Sequence, residues 1–208
     1  GTYSEDADSK SKHKPANVVD VDKDGSTDDD WRRANVDSVI CNLYKAIQEV
    51  KPWVRFGMGI PGNWTMKSKA ASAYGISLPS GISAMESYDY LYCNAVEWAK
   101  QGWVDYLNPQ IYWSTQVTRQ NYRVLCQWWA KTVCENFSNK LPNGQRVQFC
   151  VSQAAYGATD SDAGLSGYGD GVVEIQRQID ANRTNLSSGY TGSVFFNTSS
   201  YILLFKEL

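Results

Sequence analysis

The chain has 208 residues, long enough for one domain with a substantial core. Twenty Lys and Arg stand against twenty-two Asp and Glu, and the resulting net charge of −2 and pI of about 5.4 exclude a general attraction to nucleic acid or an anionic membrane. No apolar run is long enough to span a bilayer as a helix, and the single histidine, His13, excludes a His-rich zinc site and any Ser-His-Asp triad using another histidine.

Residues 1–27 are polar and read as an irregular arm. A first helix is predicted over 29–50, where Val36, Val39, Ile40, Leu43, Ile47 and Val50 follow helical spacing as one buried stripe, and Pro52 stops it. "WVRFGMGI" (53–60) reads as a strand, followed by a Gly-, Ser- and Pro-rich loop over 61–82. Ser83 and Glu86 match a capping box for a second helix with Tyr88, Leu91, Tyr92, Ala95 and Ala99 on one face. "WVDYLNPQIYW" (103–113) is the second strand, 119–136 the third helix and "VQFCVSQ" (147–153) the third strand. A Gly- and Asp-rich loop (154–171) leads to a fourth helix over 172–184, the strand "SVFFN" (193–197) and an apolar tail that reads as a last helix.

Strands alternating with helices at this spacing signal βαβ units and a parallel sheet, and continuous apolar strands suit a sheet covered on both faces. Four strands fit half of an eight-stranded barrel or a small open α/β sheet, because a complete (β/α)8 barrel takes about 250 residues. Five cysteines with no CxxC pair read as buried thiols.

"DVDKDGSTDDDWRR" (20–33) holds two signals. Asp20, Asp22, Asp24 and Gly25 match D-x-D-x-D-G, with Asp28 at the ninth position of an EF-hand-type loop. Trp31 stands where the bidentate Glu belongs, so a simpler calcium loop and a solvated acidic turn both remain open. An Asp is then expected to cap the helix that carries Arg32 and Arg33. Arg near a helix start is electrostatically unfavourable, so each needs an acidic neighbour or a ligand.

Four segments in order, "DDWRRANVDSVICNLYKAIQEVKPWVRFGMGIPGNW" (29–64), "YDYLYCNAVEWAKQGWVDYLNPQIYW" (88–113), "SQAAYG" (152–157) and "EIQRQIDANR…GSVFFN" (174–197), resemble the glycosyl hydrolase-like family 10 proteins over residues 28–205. The resemblance implies a (β/α)8 barrel of which residues 28–208 form the C-terminal half, strands five to eight. It implies a lipoprotein-type, cell-envelope or periplasmic location, a glycan substrate such as peptidoglycan, and no required cofactor. Family members carry adjacent carboxylates at the end of the fourth strand, and no such strand is found here. The segment is therefore expected to lack the catalytic acids, to be inactive alone, and to partner the missing N-terminal half or a second copy of itself. A non-catalytic glycan-binding module is the alternative.

Barrel active sites lie at the C-terminal ends of the strands. The strand ends offer Asn63 and Trp64, then Asn108, Gln110, Tyr112 and Trp113, then Gln153 and Tyr156, then Asn197 and Ser199. Trp31, Arg32, Arg33 and Asn35 are candidates to reach the same surface from the first helix. Amides, hydroxyls and aromatic rings suit sugars, but glycoside hydrolysis needs two carboxyl groups about 5–10 Å apart. Asp105 reads as a structural acid at a strand start, Asp160 and Asp162 as loop residues able to approach the site, and Glu174 as a complement to a helix dipole.

Overall fold

A computed structural model describes residues 6–141, 144–159, 168–169 and 171–204. Four strands, β1 (Gly57–Pro61), β2 (Tyr106–Gln110), β3 (Gln148–Ala154) and β4 (Tyr190–Phe196), form one parallel sheet in sequential order. This is the α/β arrangement expected of part of a (β/α) barrel.

The helical elements follow in chain order: α1 (Asp6–His13), α2 (Thr27–Val50), α3 (Ser68–Ala73), α4 (Ser87–Tyr90), α5 (Ala95–Gln101), α6 (Tyr122–Gln127), α7 (Asn136–Ser138), α8 (Tyr156–Thr159), α9 (Val172–Arg183) and α10 (Thr198–Leu204). Between α6 and α7 the chain continues as a π-helical segment, Trp128–Glu135. The adjacent Trp128 and Trp129 are both buried there. Their indole N–H groups donate to the carbonyls of Ser77 (2.6 Å) and Gly62 (2.7 Å), pinning the loop after β1.

The main core lies between one sheet face and the helices. Ile60, Leu107, Ile111, Phe149 and Val151 point into it and meet Val96, Trp98 and Ala99 of α5, Leu125 of α6 and Val133 of the π segment. Removing such side chains from water is the main stabilising term, about 1.5–3 kcal/mol for each large one. A second, polar contact joins β3 to α9. Asn182 accepts from Tyr122 Oη (2.8 Å) and donates to Gln153 Oε1 (3.1 Å) and Ser193 Oγ (3.1 Å), while Gln153 donates to Gln178 (3.1 Å).

Several elements depart from the sequence expectation. The arm contains helix α1, held by Asp6 to Arg32. The first helix starts at Thr27 with Ser26 as its N-cap residue, not an Asp. Its stripe divides: Ile40 is buried, whereas Val39, Leu43 and Val50 are exposed. Leu43, Ala46, Ile47 and Val50 instead form an apolar surface groove with Val54. The expected second helix breaks between α4 and α5, where Tyr92 takes a left-handed conformation (φ 53°). Glu86 makes no capping box and accepts from Thr65 Oγ1 (2.8 Å) and Met66 N (2.6 Å), closing the loop after β1. The first strand begins at Gly57, leaving Trp53 exposed. All five thiols are free; four are buried, and Cys93 lies between α4 and α5 rather than in a helix.

Asp37 ties α2 to α5 by accepting from Trp98 Nε1 at 2.6 Å. Burial, followed by the nearby Glu97 carboxylate, pushes its carboxyl from 3.8 up to about 7. The folded state therefore holds this proton more tightly than the unfolded chain, so the stability it contributes is full in acid and is lost as pH rises through about 7. Asp37→Asn keeps an acceptor for Trp98 and removes this dependence. Denaturant melts are expected to show the variant more stable at pH 8 by about 2 kcal/mol, half of what the full displacement carries, because the group keeps some contact with water. At pH 4 the variant should match the parent. Asn182→Ala should cost about 2–4 kcal/mol by orphaning the Tyr122 hydroxyl and the Gln153 carbonyl, measured by the same melts.

Candidate functional site

Paired residues in a parallel sheet point to the same side. The side away from the helices therefore carries cross-strand rows: Gly57–Tyr106–Gln148, Gly59–Asn108, Pro61–Gln110–Ser152–Val194 and Ala154–Phe196. In a barrel this side is the interior. Gly57 is required because a Cβ there would stand 2.4 Å from the Tyr106 ring.

At the C-terminal ends of the strands the rows lead into an aromatic cluster. Tyr112 stacks on Phe196 (6.2 Å between centroids, 24° between planes), and Tyr156 meets both rings edge-on at 6.1 and 6.2 Å. Phe196 remains 53% exposed, an unusual state for a phenylalanine on a sheet. Burial raises the Tyr112 phenol above its ordinary value, the neighbouring Tyr156 adds to this, and a hydrogen bond with Ser152 opposes it. Ser152 Oγ donates to Asn108 Oδ1 at 3.0 Å, so hydroxyl, amide and phenol lie along one line, with the exposed Gln110 beside them. Such a surface can donate to and accept from sugar hydroxyls while its rings cover apolar sugar faces.

Of the strand-end candidates, Asn108, Gln110, Tyr112 and Tyr156 fall on this surface. Asn197 is exposed next to Phe196 but accepts from Ser200 N at 3.2 Å, capping α10, and Ser199 is exposed in that helix. Trp113 is half-buried, packed against the core. Gln153 lies on the opposite side of β3, fully buried against α9. Asn63 is fully buried, donating to Ala84 O at 3.3 Å. Trp64 is a core residue, wrapped by Tyr74, Tyr88 and Trp128. Asn63, Trp64 and Gln153 have no free face for a ligand. Asp160 and Asp162 lie outside the described residues.

Three of the four candidates on α2, Trp31, Arg32 and Arg33, are engaged within the protein. α2 returns to the start of β1, so its first turn lies at the strands' C-terminal end, but its arginines are neutralised within the protein. Arg33 is 2% exposed. It reaches Asp30 (2.8 Å), Asp89 (3.3 Å) and Asp22 (3.6 Å) and lies over the Tyr88 ring at 4.0 Å. Arg32 binds Asp6 and Asp29 and faces the Tyr92 ring. Trp31 is buried, and Asn35 is exposed on a groove shared with the arm residues Pro15 and Val18. Arginine at a helix start is tolerated here because carboxylates supply the compensating charge.

The acidic run is likewise divided. Asp28 pairs with Lys10 and Lys14, which hold its carboxyl down to about 2, and it stands apart from the other candidates. Asp20, Asp22 and Asp24 place one oxygen each within 4.8 Å of one another, a set of hard donors able to hold a metal ion. Asp20 accepts from the N–H groups of Asp24 (3.1 Å) and Gly25 (3.0 Å), and Gly25 supplies the turn at φ +89°. Lys67 also enters the cluster, 2.7 Å from Asp24 and 3.5 Å from Asp22.

Sequence reading passed over Phe196 and Ser152, although a signal existed. Phe149 and Val151 are the apolar positions of β3, which places Gln153 on the core side and Ser152 on the other. Glu174 does more than complement a helix dipole: fully buried, it accepts from Thr115 N (2.6 Å) and Thr115 Oγ1 (2.8 Å), fixing the loop after β2. Asp105 is structural as expected, accepting from Phe56 N at 2.7 Å.

The model of the family described as Glycosyl hydrolase-like 10 matches residues 4–153. The match extends upstream of residue 28 and includes the Asp20–Gly25 turn. Glycosyl hydrolase YngK of Bacillus subtilis (strain 168) is 35% identical over 128 residues, 62% of this chain and 22% of that protein. Glycosyl hydrolase DigH of Escherichia coli (strain K12) is 31% identical over 156 residues, 74% of this chain and 32% of that protein. The chain thus matches between about a fifth and a third of the length of these relatives.

Proposed function

The chain belongs to the glycosyl hydrolase-like 10 family, and on that premise we propose that it forms the substrate-holding side of a glycoside hydrolase acting on bacterial cell-envelope or related glycans. The observation that carries this reading is the chemistry of the inner sheet face. Asn108, Gln110, Ser152 and Tyr112 stand in line beside Phe196, and the cross-strand rows of the described residues contain no carboxylate. Hydrolysis through two carboxyl groups then draws its acids from outside these strands. The same lack of carboxylates favours the second reading, a glycan-binding module without turnover.

The edge strands β1 and β4, unpaired on their outer sides among the described residues, and the apolar groove along α2 suit packing against the remainder of a barrel or a second copy of the chain. A periplasmic or envelope-anchored location accords with such a substrate. The Asp20, Asp22 and Asp24 oxygens would take calcium, with Lys67 as the competing internal cation.

Incubating the chain with peptidoglycan strands and neutral oligosaccharides should give binding without released product. Turnover by the chain alone would refute the division of labour, and turnover by a longer protein containing it would separate the hydrolase from the binding module. Calcium at about ten times its dissociation constant should raise the melting temperature by roughly 3–6 °C. Asp22→Asn should abolish that rise, and no change at millimolar calcium would dismiss the metal.

A further inference from the structure

A cleft of about 540 Å³ opens in the helix layer between α2 and α5, a size that takes a small molecule. Asp30, Arg33 and Asp37 of α2 line one wall, and Asn94, Glu97 and Lys100 line the other. Its charges pair off with one exception. Arg33 lies 2.8 Å from Asp30, and Lys100 lies 3.7 Å from Glu97. Asp37 has no ion pair among the described residues; its Oδ1 accepts from Trp98 Nε1 at 2.6 Å. The other titratable groups on the cleft, Tyr74, Tyr88 and Cys41, add no positive charge. Three acids thus face two bases, and the cleft is left with excess negative charge whenever Asp37 ionises.

Burial and the Glu97 carboxylate hold the Asp37 proton up to about 7, against the opposing pull of the Trp98 and Asn94 hydrogen bonds and the Arg33 charge. The proton is what Asp37 takes for want of a cation. Asn94, on the facing wall, leaves its Oδ1 without a hydrogen bond, so the cleft is short of a donor as well as of a positive charge. Lys100 shows which chemistry the cleft accepts. From the last turn of α5 this exposed side chain places its ammonium beside the Glu97 carboxylate and 5.1 Å from the centre of the Tyr74 ring, both of which attract it.

We propose that the cleft between α2 and α5 binds a small primary ammonium compound bearing hydroxyl groups, with its ammonium against Asp37. Ser38 and Asn42, both exposed on the α2 wall, meet the hydroxyls. When the carboxyl is protonated, its O–H bond breaks on binding, the proton passes to the buffer and the ligand's ammonium takes its place. The inference is independent of the glycan-holding reading above.

Calorimetric titration of the 208-residue chain with 1-amino-1-deoxyglucitol, glucitol and gluconate varies the charge on one polyol skeleton. The amine should bind at least about tenfold more tightly than the other two. Its affinity should rise about tenfold from pH 6 to pH 8, and binding should release about 0.9 proton at pH 6 and about 0.1 at pH 8, read from the heats in buffers of different ionisation enthalpy. Asp37→Asn, which keeps an acceptor for Trp98, should weaken binding at pH 8 about tenfold and abolish the proton release at pH 6. Lys100→Gln withdraws the internal ammonium from the surface of α5 and should tighten binding at least about threefold, which provides the measurement if Asp37→Asn fails to fold. Equal or tighter binding of glucitol or gluconate would overturn the charge selection. Unchanged affinity and proton release in Asp37→Asn, or unchanged or weaker affinity in Lys100→Gln, would overturn the assignment to this cleft. No binding of the amine at about 10 mM would overturn the proposal outright and leave the glycan-holding reading untouched.

Discussion

Parallel strand pairing is the constraint from which the rest of this structure follows. Because paired residues point the same way, each strand must divide its side chains between two environments in register with its neighbours. Ile60, Leu107 and Val151 fall together on the helix side and form the core. Pro61, Gln110, Ser152 and Val194 are thereby brought into one row on the other. A one-residue slip in β3 would bury Ser152 against the helices and turn Gln153 away from Asn182, losing core and candidate site together.

A separate charge network gathers at the start of α2. Arg33, buried at the start of α2, is balanced by carboxylates from the arm, its own helix and α4. Lys67 joins Asp22, Asp24 and Asp89 from the loop after β1. Removing one partner from such a network leaves a buried charge uncompensated, which is far more damaging than the net worth of the pairs suggests. The network anchors the acidic turn to the end of the fold where the strands finish, and its positive charges are spent internally.

Much of this was legible in advance. All four strands lie within a few residues of where apolar runs and turn residues indicate, and α9 spans its expected range, although its fully buried positions are Glu174, Gln178 and Asn182 rather than apolar residues. Half the strand-end candidates lie on or beside the inner surface because barrel topology puts strand ends there. Asn63, Trp64 and Gln153 do not, because proximity to a strand end says nothing about which way a side chain points. Trp64 illustrates the difficulty: a loop tryptophan beside Asn and Gly suits a sugar platform equally well, until Tyr74, Tyr88 and Trp128 close around it. The exposed stripe of α2 was illegible for a related reason. Helical periodicity identifies an apolar face but not whether anything described packs against it.

The sequence by itself determined the parallel α/β architecture, the family and the neutral, hydroxyl-seeking character of the strand ends, because these depend on local periodicity and on residue types at turns. Tertiary structure decided which of those residues share a surface. It buried Arg33 in carboxylates, separated Asp28 from Asp20, Asp22 and Asp24, and set Phe196 against Tyr112. These outcomes turn on contacts between residues distant in the chain, such as Arg33 with Asp89 and Tyr112 with Phe196, which no local pattern encodes.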